Sequence, residues 1–153
     1  MSVFSAAVFV AVSLPLSIFD IRSYRVPDFI VLPGLALGMI ASSISGAPTL
    51  VLLAEMAVIG GLFLLVKYLT DGKMGVGDVK YALFVCACVG GMRTLLSVFV
   101  ATILGLFTYG VFALIRGKQG LDRPLPFVPY IAGGVACITL IEFFEIYSPP
   151  TLW

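Results

Sequence analysis

Apolar residues run through this chain in stretches too long for a water-soluble fold. Six can be drawn, over 2–19, 27–45, 48–69, 78–92, 94–115 and 126–147, with polar or turn-forming residues between them. A helix that crosses the hydrocarbon of a bilayer needs about 20 apolar residues, so six would use about 120 of them. In a chain of 153 residues that leaves room for loops and little else. Composition agrees, with 61% hydrophobic and 11% charged residues, where soluble domains hold roughly 45–50% and 25%. The expectation is an all-α, polytopic membrane helix bundle of about six transmembrane helices, one integral-membrane domain over 1–153. The N-terminus carries no basic stretch before its first apolar run, so residues 2–19 read as a retained helix rather than a cleaved signal.

The few charges fix an orientation. Counting the breaks as loops one to five, the odd loops hold Arg22, Arg25, Lys67, Lys73, Arg116, Lys118 and Arg123, with Lys80 at the adjoining helix start. That is eight of the nine basic residues, and Arg93 alone lies on the other side. Basic loops stay in the cytosol, which places both termini outside. The net charge of +1 gives no reason to expect a nucleic-acid partner. Absence of histidine removes the commonest metal ligand, and with it Ser-His-Asp and Cys-His catalysis. Cys86, Cys88 and Cys137 form no C-x-x-C pair and sit in apolar runs, where they read as buried structural thiols. No metal or cofactor is expected. Gly34-x-x-x-Gly38 and Gly60-Gly61 read as places where helices pack closely.

Ionisable groups at membrane depth are costly, so the eight acids carry the functional question. Asp71 and Asp122 sit in loops among Gly, Lys and Arg and read as solvated. Glu142 and Glu145, three apart on one face, reach the outer interface. Glu55 lies in the outer half of its segment, with Arg93 as its expected partner and a structural role. Asp20 and Asp78 differ from these. One closes the first helix and the other opens the fourth, both on the cytosolic side. Each has a base two residues on, in Asp20-Ile-Arg22 and Asp78-Val-Lys80, a cation that would favour the ionised carboxylate. The fourth segment, Asp78–Met92, is 15 residues, about 22 Å of helix against about 30 Å of hydrocarbon. Either it stops short or Asp78 lies below the membrane surface. Two close carboxylates can share a proton, one activating water while the other donates to a scissile carbonyl. That is aspartic-protease chemistry without metal or histidine. The plainer reading, equally open on spacing alone, is that both acids cap helices.

The stretch from Phe19 to Asp28, an Asp followed at a distance by Pro-Asp, resembles the first signature of the type IV prepilin peptidases. Gly75-Val-Gly-Asp78-Val-Lys80 resembles their GxGD motif and the basic residue that follows it. Pro126-Phe-Val-Pro-Tyr-Ile-Ala132 is similar to their late Pro-Phe-x-Pro-aromatic segment. The resemblance implies a membrane aspartic endopeptidase that removes basic leaders from pilin-like precursors at the cytosolic face of a prokaryotic inner membrane. Its catalytic pair falls on Asp20 and Asp78. Gly75 and Gly77 match the glycines, which would allow tight, unusual backbone beside the Asp, and Lys80 matches the basic position. Pro27 would start the second helix, and Asp28 would cap that turn or help position substrate, with the structural role favoured. Larger family members also carry paired C-x-x-C motifs and methylate the cleaved pilin. This sequence has neither motif, so it resembles the short, peptidase-only forms such as those serving tight-adherence (Flp) pili, or archaeal preflagellin peptidases. Another GxGD protease cutting inside the bilayer, a small proton- or cation-coupled transporter using the same two acids, and an inactive assembly protein are the competing readings.

Overall fold

A computed structural model describes residues 2–71, 74–116 and 126–147. They form six helices: α1 (Val3–Ser23), α2 (Asp28–Ile44), α3 (Thr49–Leu69), α4 (Val76–Val89), α5 (Gly91–Arg116) and α6 (Phe127–Tyr147). Their order matches the six apolar segments. The largest shifts are at α1, which runs four residues past the expected end, at α4, which begins and ends earlier than expected, and at α5, which begins three residues earlier. Lys73, Lys118, Asp122 and Arg123 lie outside the described residues.

Among the described residues, four helices are long and apolar enough to cross a membrane: α1, α3, α5 over Gly91–Phe112, and α6 over Phe127–Phe144. The 17-residue α2 is shorter, and α4 has 14 residues, about 21 Å at the α-helical rise. The side chains are arranged as a bilayer requires. Only 11% of the α5 window is buried inside the protein, and Leu50, Phe107 and Leu114 stand out from the bundle. In lipid those faces need no protein cover, whereas in water they would be an extended apolar patch.

The short α4 is the centre of the bundle. It packs against all five other helices, and from Val79 to Val89 none of its residues is exposed. Around it lie Leu16, Val31, Val128 and Ile131, all fully buried. Small residues let the neighbours approach, as expected of Gly34 and Gly38. A Cβ on Gly34 would meet Val12 of α1 at 2.7 Å, and one on Gly38 would meet the Cys88 sulfur of α4 at 2.9 Å. Gly60 lies 3.2 Å from Leu83 by the same measure, while Gly61 has nothing within 4 Å and plays no part in packing. Cys86 and Cys88 are buried thiols, but Cys137 is exposed on the outer surface of α6, so only two of the three cysteines belong to the core.

Candidate active site

The first acid sits in the last turns of α1. That helix ends at Tyr24, whose left-handed conformation (φ 51°) lets its N–H reach the Asp20 carbonyl at 2.8 Å. Asp20 is buried, with 4% of its surface exposed. Its Oδ2 accepts a hydrogen bond of 3.0 Å from the Val128 main-chain N–H, and the Phe127 N–H faces the same carboxyl. These donors belong to the first turn of α6, where helix N–H groups have no partner within their own helix. The helix dipole adds attraction for a carboxylate there. The late Pro-Phe-x-Pro segment thus reaches the site through its main chain. Side-chain pattern gave no hint of this, though a helix start known to lie near an acid is a signal for it.

Asp78 is the third residue of α4. Its N–H bonds to the Gly75 carbonyl at 3.2 Å, and its carboxyl lies within reach of the Gly75 N–H. An acid at this position, near the N–H of the capping residue, has the placement of the acidic half of a capping box. The carboxyl is also close enough to α1 for the Asp20 charge to act on it.

The loop between α1 and α2 closes over this corner. Pro27 is the capping residue of α2, one position earlier than the first turn expected for it, and its carbonyl receives the Ile30 and Val31 N–H groups at 3.2 Å each. Next to it, Val26 lies against the first turn of α4. A Cβ on Gly77 would stand 2.7 Å from the Val26 Cβ, whereas one on Gly75 would approach the Asp78 Oδ2 at 3.4 Å. Neither glycine has positive φ, because the positive-φ glycines of the described residues are Gly46 and Gly90. The expectation of unusual backbone at Gly75 and Gly77 is therefore corrected. What Gly77 provides is space for the neighbouring loop.

A second expectation is corrected at Lys80. Its ammonium does not serve Asp78. It holds both carboxylate oxygens of Asp28, at 2.7 and 2.8 Å. Residues two apart on a helix do not face each other, so Lys80 turns to α2. The same spacing leaves Arg22 exposed. Asp28 thus braces the loop rather than capping its own turn. Deeper in, the fully buried Tyr81 donates its hydroxyl proton to the Ser13 hydroxyl oxygen at 3.0 Å, tying α4 to α1 one turn beyond Asp78. Neither residue stood out in the sequence. Among the described residues no group of acids, cysteines or histidines is arranged to hold a metal ion.

Glu55 and Arg93 do not pair. The Glu55 Oε2 accepts the Gly91 N–H at 2.9 Å, and the Arg93 Nε donates to Glu142 at 2.7 Å. Arg93 and Glu142 come from packed neighbours, α5 and α6, while Glu55 satisfies the open start of α5. Glu145 belongs to α6, but its side chain lies outside the described residues.

Residues 7–114 match the type IV leader peptidase family, Peptidase_A24. The chain belongs to that family. Both acids, the GxGD glycines and the Asp28–Lys80 tie fall within the match, and the Pro-Phe-x-Pro segment lies beyond it. Leader peptidase HopD of Salmonella typhimurium is 35% identical over 127 residues, covering 78% of this chain and 81% of that protein. The prepilin leader peptidase/N-methyltransferase of Bacillus subtilis is 32% identical over 139 residues, 88% of this chain and 54% of that one. The protein of the same name from Pseudomonas putida is 35% identical over 133 residues, 82% of this chain and 46% of its own length. The chain spans about half the length of these two longer relatives. No solved structure matches it. The protein is thus a multi-pass membrane leader peptidase of an aspartic peptidase family.

Proposed function

We propose that Asp20 and Asp78 are the catalytic pair, and that they remove the leader from pilin-like precursors at the cytosolic face of the inner membrane. What carries this reading is that two acids 58 positions apart in sequence meet at one corner of the bundle. One carboxylate takes a proton from water as the oxygen attacks the scissile carbonyl, and the other carboxyl donates to the carbonyl oxygen. The Val128 N–H holds one oxygen of Asp20, so that carboxyl enters the reaction with little reorganisation. An apolar precursor helix would lie in lipid beside the bundle, its leader in the cytosol. Basic residues of loops one, three and five support this orientation, with all six helices embedded and both termini outside. A substrate of the Flp kind is the finer reading, and it rests on the resemblance of this sequence to peptidase-only forms.

Cleavage of a prepilin by the detergent-solubilised protein tests the assignment. Asp20→Asn and Asp78→Asn keep size and hydrogen-bonding capacity, and each is expected to lower turnover by about 10²–10⁴-fold, the range for a positioned acid or base. Cleavage at the unaltered rate by either variant would overturn the pair.

A further inference from the structure

At the end of α4 away from Asp78 lies a cavity of about 400 Å³. It exists because α4 is short. The helix stops at Val89, about 9 Å less than a hydrocarbon thickness from its start, and the ends of α1, α2, α3 and α5 stand around the space left over. Beside apolar residues such as Val51, Leu52 and Val89, the lining holds polar ones that are uncommon in a membrane bundle: Ser2, Ser5, Ser42, Ser45, Glu55 and Arg93.

The lining has a definite chemistry. Ser42 donates its hydroxyl proton to the Ala87 carbonyl and Ser45 donates to the Ala41 carbonyl. Each hydroxyl proton is thus committed inside the protein, and the oxygen remains an acceptor. Ser2 and Ser5 bond to each other at 2.8 Å. Glu55 is an acceptor when ionised. Among the described residues the ion pairs are Lys80–Asp28 and Arg93–Glu142, so Glu55 shares the cavity with Arg93 without pairing to it. The Arg93 Nε is taken by Glu142, and the rest of its five-donor fork is suited to a phosphate. Acceptors and a carboxylate on one part of the wall call for a cation with N–H donors, and the guanidinium calls for an anion.

We propose that this cavity binds the headgroup of a zwitterionic aminophospholipid, its primary ammonium on Glu55 and the serine oxygens and its phosphate on Arg93. A phosphatidylethanolamine headgroup carries both charges in one small group, and its acyl chains would continue along the exposed apolar faces of the helices. A headgroup seated there would close the gap above α4 and bridge the ends of four helices without touching the reactive acids.

Native mass spectrometry of the full-length protein, released from mixed detergent and lipid micelles, tests this. Phosphatidylethanolamine is expected to be retained about tenfold better than phosphatidylglycerol, which shares the phosphate and lacks the ammonium, as one charge-assisted hydrogen bond would give. Glu55→Gln keeps an acceptor for the Gly91 N–H while removing the charge, so it should fold, cleave prepilin at the wild-type rate and lose the preference. Equal retention of the two lipids by the wild type overturns the proposal whether or not the variant folds, and so does a preference that survives in Glu55→Gln. Soluble O-phosphoethanolamine is the third arm. If it competes as well as the lipid at equal concentration, the occupant is a free aminophosphate and the lipid assignment is overturned.

Discussion

At the scale of single residues, the order of acids along the chain was enough to expect Asp20 and Asp78 at one end of the bundle, because helix ends alternate sides of a membrane, and the Asp20 charge does act on Asp78. The partners of those acids were not legible. Lys80 lies two residues from Asp78, yet helical geometry sends it to Asp28. The donor that holds Asp20 is a main-chain N–H, which no side-chain pattern encodes. Glu55 and Arg93 illustrate the same limit, since each found a nearer partner across a helix contact that sequence does not reveal. Gly77 allows a prediction at this scale. Gly77→Ala forces a methyl group against the Val26 Cβ, at 2.7 Å. It is expected to lower stability by about 1–3 kcal/mol, the usual cost of overpacking, and to slow cleavage by displacing the loop over the acids. Gly75→Ala meets Asp78 at an ordinary contact distance and should be milder. Thermal unfolding in detergent and the cleavage rate of both variants check the difference.

At the scale of helices, the apolar segments predicted six elements in the right order, and the shortness of the fourth was visible as well. What periodicity could not convey is which helix stands in the middle. In lipid both the buried and the exposed faces are apolar, so amphipathic patterning, the usual guide to a core, carries little information here. Small residues are the better guide, but only some of them act. Gly134 of α6 crosses α5 so closely that a Cβ would stand 2.3 Å from the Ser97 carbonyl oxygen, whereas Gly133 has nothing within 4 Å. Main chain cannot yield as a flexible side chain does. Gly134→Ala should therefore separate α5 from α6 and cost at least about 1–3 kcal/mol. Gly133→Ala should be neutral or raise stability by up to about 1 kcal/mol, as loss of glycine freedom does at an open position. Melting temperatures of the two purified variants decide it.

For the whole molecule, composition pointed to a membrane protein, and charge asymmetry gave an expected orientation. Both readings depend on sums over many residues, which is why a single sequence can suggest them. The orientation is open to direct measurement. In a protein whose three cysteines are replaced by alanine, a single cysteine at Gly46, between α2 and α3, should react with a membrane-impermeant maleimide in intact cells. A single cysteine at Arg22 should react only after the cells are opened. The reverse pattern would invert the bundle. Hydrophobic mismatch adds a consequence of the central position of α4. Membranes differ in thickness, and helices that touch lipid adjust by tilting or by distorting the bilayer. From Val79 to Val89 the helix that carries Asp78 presents no exposed residue, so such adjustments fall on the five helices around it. The outer shell can be retuned, residue by lipid-facing residue, for a thicker or thinner membrane while α4 stays where the inner contacts hold it.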